Sequence, residues 1–143
     1  TENIVITGTV NQYLNLTPQS NTIQLTITGD GSEAVGTDTI TAVSNIKSWK
    51  VVVTSSNNSY LVQDTLQVPY KVKIDNEDAA TNSFSSFASV PTGGGSLTFT
   101  KKTKKGGSVL SITVKVENQD ITDELYEAGN NYVDTLVFTI SVN

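Results

Sequence analysis

TENIVITGTVNQYLNL (Thr1–Leu16) is the stretch whose reading decides the fold. Ile4, Ile6, Gly8, Val10, Gln12, Leu14 and Leu16 share one parity, and Val5, Thr7, Thr9, Asn11, Tyr13 and Asn15 share the other. This period of two is the pattern of strands with one buried face. A single strand from Ile4 to Leu16 would run about 43 Å at 3.3 Å per residue, about twice the usual strand length. The polar step Asn11-Gln12 therefore divides the stretch into an arm, Asn3–Val10, and a first core strand, Tyr13–Leu16. An apolar arm must cover its face either on its own domain or on a neighbouring molecule.

The rest of the chain alternates in the same way. Ile23, Leu25 and Ile27 predict a second strand, stopped by the turn signal Gly29-Asp30-Gly31. Ser32–Asp38 reads as a loop and Thr39–Ser44 as a third strand. Trp49, Val51 and Val53 alternate into Ser55-Ser56-Asn57-Asn58-Ser59, a polar hairpin connection leading to Tyr60–Val62. Leu66, Val68, Tyr70, Val72 and Ile74 predict a single strand with Pro69 on its outward face, as an edge strand or bulge allows. Leu97 and Phe99 lead into a hairpin tip at Lys101–Gly107, and Leu110, Ile112, Val114 and Val116 form the return strand. Asp120–Gly129 is the one helix-like piece, with Ile121 and Leu125 on a shared face and Gly129 as its stop. Leu136, Phe138, Ile140 and Val142 belong to the last strand. Eight or more short strands separated by turns predict an all-β antiparallel sandwich, favoured here over a barrel.

Composition narrows the function classes. The 143 residues suit one domain with a real core. Ser, Thr and Asn make up about a third of the chain, above ordinary globular usage. Met, Cys, His and Arg are absent, so all nine basic residues are lysines. A net charge of −5 offers no basic stripe for phosphates, which argues against nucleic acid. No apolar run approaches the roughly 20 residues of a membrane span. A start at Thr1 suits a mature exported protein or an excised fragment, and the Thr/Ser/Asn-rich, Arg-free surface reads as extracellular.

Two places resemble a known family. The close Leu125-Tyr126-Glu127-Ala128-Gly129-Asn130-Asn131-Tyr132-Val133-Asp134-Thr135-Leu136-Val137-Phe138-Thr139-Ile140 is similar to the A-G-x-Y-x-D-T-hydrophobic ending of bacterial chaperone–usher pilins, the archaic, spore-coat-U-like type included. The opening Ile4–Val10 followed by Leu14-Asn15-Leu16 resembles the arm and first strand of the same pilins. The cysteine-free enterotoxigenic-fimbria class begins and ends in a related way. Two asparagines, Asn130 and Asn131, stand where the motif has one residue, and the cysteine pair of many archaic pilins is absent.

The resemblance implies an Ig-like antiparallel β-sandwich lacking its last strand, with residues 1–10 as a donor arm and 11–143 as the pilin domain. Ile4, Ile6, Gly8 and Val10 would then enter a groove of the neighbouring subunit, with Leu136, Phe138 and Ile140 as acceptor candidates. Strand addition of this kind is a recognised binding mode for which pilins are a standing example. The implied protein is a structural subunit of an extracellular fimbria supporting adhesion or biofilm. Its partners would be identical subunits head-to-tail, with a periplasmic chaperone and an outer-membrane usher during assembly. The alternative is a free-standing Ig-like surface module that binds a glycan or protein.

Enzyme chemistry finds little support. Without His or Cys the usual general base, the thiol nucleophile and most transition-metal sites are missing. Gly29-x-Gly31-x-x-Ala34 matches a dinucleotide fingerprint only formally, because Val35-Gly36-Thr37-Asp38 cannot supply the helix it needs. A paired-carboxylate glycosidase is the distant third class. The acidic clusters Asp75–Asp78 and Glu117–Glu127 read as solvated turns, with calcium binding as the lesser alternative, since neither has the EF-hand spacing or its Gly. Lys101, Lys102, Lys104 and Lys105 form a positive tip, read first as a solvated loop that discourages edge pairing, then as a contact for the Asp120–Glu127 region of a neighbouring subunit, and third as a site for an anionic surface. No catalytic residue, cofactor or metal is expected.

Overall fold

A computed structural model describes residues 1–120 and 122–143. In chain order the strands are β1 (Leu14–Pro18), β2 (Ala34–Ser44), β3 (Trp49–Ser55), β4 (Tyr60–Gln63), β5 (Leu66–Pro69), β6 (Lys71–Asp75), β7 (Thr81–Asn82), β8 (Gly95–Phe99), β9 (Ser108–Val116) and β10 (Leu136–Val142). One sheet has the order β1-β2-β9-β6, a second β10-β3-β8-β7, and β4 and β5 form a small hairpin. Every pairing is antiparallel. No helix forms among the described residues. The layout is consistent with a β-sandwich, in which the two inner faces interdigitate to make the core.

The period-2 pattern explains the core directly. Trp49, Val51 and Val53 of β3, Leu97 and Phe99 of β8, and Leu110, Ile112, Val114 and Val116 of β9 are buried in one cluster. Trp49 stacks flat on Phe99, with ring centroids 3.8 Å apart and planes 4° from parallel. Its indole N–H donates to the Lys101 carbonyl at 2.9 Å, so the ring buries without an orphaned donor.

Four expectations change. Leu66–Ile74 is two strands: β5 pairs with β4 while β6 pairs with β9, and the chain changes partner at Tyr70. Pro69 has no N–H for a ladder, which makes the break a natural place to switch. β2 begins at Ala34, inside the stretch expected to be a loop. Its early inward positions, Ala34, Gly36 and Asp38, are small or polar and give no hydrophobic alternation. The helix expected at Asp120–Gly129 does not form in the described residues; the Asp123 amide donates to the Asp120 carbonyl in a turn, followed by irregular chain. Ile121, expected to share a face with Leu125, lies outside the described residues.

The last change concerns Ile23, Leu25 and Ile27. They point inward and pack on the core as half-buried residues, yet among the described residues no backbone ladder joins Ile23–Ile27 to another strand. Gly36 explains how the segment fits. A Cβ there would come within 2.6 Å of Ile23 Cγ2 and 2.9 Å of Leu25 Cδ2, so β2 accepts the segment against its backbone. Gly36→Val is expected to push the segment off and to cost about 1–3 kcal/mol, as overpacking of a tight site does. Urea unfolding checks it: the midpoint should fall, and an unchanged midpoint would contradict the packing described.

Candidate functional site

β1 and β10 are edge strands of the two sheets and lie near each other, with no ladder between them among the described residues. Inward residues of β3 are fully buried, whereas Leu136, Phe138 and Ile140 of β10 are only half buried, although they belong to the same sheet. β10 hydrogen-bonds to β3 on one side and, among the described residues, pairs with no strand on the other. β1 is likewise at an edge, with Leu14 and Leu16 half buried.

A cavity of about 430 Å³ lies between these edges. Leu16 and Pro18 of β1 and Ile40 of β2 line one side, and Leu136 and Phe138 line the other. Ile112 and Val114 of β9 contribute from the core, and Ile23 and Leu25 from the unpaired segment. The volume falls within the roughly 300–1,000 Å³ usual for binding clefts, large enough for several side chains. Ile140 continues the Leu136–Phe138 face along β10, beyond this lining.

The polar end of the groove is built around Asp134. Its carboxylate accepts from the Tyr70 hydroxyl, from Ser55 Oγ, from the Asn57 amide at 3.0 Å and from the Thr135 amide at 2.7 Å. The Asn57 side-chain amide adds a bond to the Val133 carbonyl at 3.2 Å, and Val133 and Val62 exchange backbone bonds. These contacts lock the turn that delivers the chain into β10. Burial raises the Tyr70 phenol well above its ordinary value near 10, and the bond to Asp134 raises it further. In the turn after Ile27, hydrogen bonds from Thr28 and Ser32 lower the exposed Asp30 carboxyl to about 2, because they favour its charged form. Tyr132, from the A-G-x-Y-x-D-T resemblance, donates its hydroxyl to the Glu127 carbonyl at 2.7 Å and braces the loop before β10.

The arm lies apart from this groove. Residues 1–10 are all exposed, with Ile4 and Ile6 at 91% and Val10 at 88%. A Cβ at Gly8 would meet nothing within 4 Å. The arm side chains Ile4, Ile6 and Val10 and the groove side chains Leu136 and Phe138 are thus unpaired apolar surfaces on one chain. The sequence reading named both surfaces. It missed Ile23 and Leu25 as lining, having placed them in a ladder, and it missed the Asp134–Tyr70–Ser55 cluster; Asp134 in the A-G-x-Y-x-D-T close was the available signal.

No group of three or more His, Cys, Asp or Glu is placed to hold a metal among the described residues. The Asp75–Asp78 loop is tied down internally, with Ser108 Oγ donating to Asp78 at 2.6 Å and the Asn76 side chain capping Asp78 and Ala79. Among the described residues no helix is long and apolar enough to cross a membrane. No protein-family model matches the sequence, and a search of curated proteins gives no significant match.

Two outcomes follow from the Asp134 cluster. Asp134→Ala leaves three or more donors without their acceptor and is expected to cost at least about 1–3 kcal/mol in urea unfolding. Tyr70 gives a pH signature. Its folded pKa is raised, so its contribution is complete below about pH 10 and is lost as pH rises through the folded value. Alkaline unfolding should therefore steepen above about pH 10 in the native chain and flatten in Tyr70→Phe. Identical alkaline curves for the two would contradict a buried, bonded phenol.

Proposed function

We propose that this chain is a structural subunit of an extracellular fimbria, assembled by donating its arm to the groove of the next copy. The observation that carries the reading is the pairing of two unsatisfied surfaces on one chain. One is an exposed arm with Ile4, Ile6 and Val10 on one parity, and the other is an apolar cleft beside the edge strand β10. On this reading the fold is an Ig-like sandwich lacking its last strand, and the arm supplies that strand.

The physics supports the assignment. An edge strand exposes unpaired N–H and C=O groups that template another chain. The arm adds the missing ladder, worth about 0.5–1.5 kcal/mol net per hydrogen bond. Ile4, Ile6 and Val10 alternate into the cleft, each contributing about 1.5–3 kcal/mol on burial. Gly8 leaves room for the two backbones where a side chain would hold them apart. The arm's root is held on the body, where the Asn45 side chain donates to the Asn11 carbonyl at 2.8 Å and accepts from the Tyr13 amide at 2.8 Å. A contact that joins unlike surfaces of identical copies does not close on itself, so it propagates a filament. The A-G-x-Y-x-D-T close and the Ile4–Val10 opening agree with this through their resemblance to chaperone–usher pilins. That resemblance also implies a periplasmic chaperone and an outer-membrane usher as assembly partners.

Deletion of Thr1–Val10 tests the reading. The truncated chain should remain folded, fail to polymerise, and gain thermal stability when a synthetic peptide of residues 1–12 is added. Light scattering and thermal melts read both effects. If the intact chain stays monomeric while the truncated one unfolds and the peptide does not rescue it, the arm is a strand of its own domain and the proposal fails.

A further inference from the structure

The lysine tip has a structural partner that the groove alone does not explain. The β8–β9 connection carries Lys101, Lys102, Lys104 and Lys105, all exposed. It is held rigidly at its centre, where the Thr103 amide donates to the Ser44 carbonyl at 2.9 Å and the Ser44 amide to Thr103 Oγ1 at 3.1 Å. The neighbouring Asn45 is the residue that clamps Asn11 and Tyr13. The arm therefore leaves the sandwich beside the lysine tip, with no slack between Val10 and the clamped Asn11.

The opposite end of the molecule is acidic. β9 runs from Ser108 at the lysine end to Val116 at the other, and the chain then enters Glu117–Val133, the connection to β10. Asp120, Asp123, Glu124 and Glu127 are exposed there. The segment is pinned to the body by the Gln119 amide on the Gly31 carbonyl at 2.9 Å and by the Glu33 amide on the Asn118 side chain. It leads directly into Asp134, Thr135 and Leu136, which line the groove, and so ends at the groove's acidic end.

Direction links the two ends. β10 runs from Leu136 at the acidic end to Val142 beside Trp49 at the lysine end. Antiparallel addition, the mode of every pair in this fold, puts Asn3 toward the lysine end of the receiving copy and Val10 at its acidic end. The clamped root then brings the donor's own lysine tip against that end. Each end also carries some opposite charge. Asp75, Glu77 and Asp78 lie at the lysine end on the β6 side, away from β1. Lys71 and Lys115 lie at the acidic end, where Lys71 is taken up by Glu117 at 3.0 Å.

We infer that successive copies meet through an ion-paired junction, in which the Lys101–Lys105 tip of one faces Asp120, Asp123, Glu124 and Glu127 of the next. The inference rests on the fimbrial reading above. The junction adds orientation and encounter rate to the affinity of the arm, as complementary charge does at interfaces. It makes filament growth depend on salt, because exposed charges are screened within about 8–10 Å at ordinary ionic strength.

The test measures growth rate of the full chain from preformed seeds at about 30 and 300 mM NaCl, with binding of the 1–12 peptide to the arm-deleted chain as the reference. Replacing the four tip lysines with glutamate should slow growth at low salt about tenfold or more, within the range known for electrostatic steering. It should also reduce the salt dependence and leave peptide binding within about twofold of the native value. The same lysine-to-glutamate chain should recover its rate on seeds carrying Asp120→Lys, Asp123→Lys, Glu124→Lys and Glu127→Lys. Growth that is indifferent to salt and to both reversals, with the peptide still binding, overturns the junction and leaves the fimbrial reading standing. A peptide that fails to bind overturns both.

Discussion

Everything in this structure turns on the uncovered side of β10. A strand whose inner face carries Leu136, Phe138 and Ile140 should be as buried as β3, its neighbour in the same sheet, yet its side chains stay half exposed and, among the described residues, its outer ladder has no strand. Water is a poor partner for that face, and a free edge is a template for whatever strand comes next. The arm is exposed along its whole length and carries Ile4, Ile6 and Val10 on one parity.

The remainder of the fold keeps this opening in a fixed shape. The Trp49–Phe99 stack and the buried valines of β3 hold one wall. Asp134, gathering Tyr70, Ser55 and two backbone amides, fixes the entry into β10. Gly36 admits the Ile23–Leu25 segment, which props the opposite wall without using up its backbone groups in a ladder. A preorganised cleft of this kind lowers the ordering cost of receiving a strand. The clamp of Asn45 on Asn11 and Tyr13 works at the other end, holding the arm's root on the body it leaves.

Much of this was legible in the sequence where side-chain parity and burial coincide. The alternations at Trp49–Val53, Leu110–Val116 and Leu136–Val142 became β3, β9 and β10. Parity failed in two opposite ways. Ile23, Leu25 and Ile27 alternate and face inward but pair with no strand among the described residues, because hydrophobic period reports burial and not hydrogen bonding. Ala34–Asp38 pairs fully with β9 yet shows no apolar period, because Gly36 must stay small beneath Ile23. The break at Pro69 was marked by the missing N–H, but the change of partner at Tyr70 depends on which sheet each half joins, which is a tertiary property. The helix expected after Asp120 rested on one short apolar spacing, too little to nucleate a helix without a packed face.

The central claim is that the arm of one copy occupies the groove of another, and isotope mixing reads this most directly. Natural-abundance and 15N-labelled chains, each with a photo-crosslinking residue in place of Ile6, are unfolded together, refolded, allowed to assemble and irradiated. Mass spectrometry of the digest then weighs the peptides that join the arm to the Leu136–Val142 strand. Exchange between copies predicts that about half of these peptides pair a light arm with a heavy strand or the reverse. Crosslinked peptides that are always all light or all heavy would mean that each arm covers its own groove, and would contradict the account.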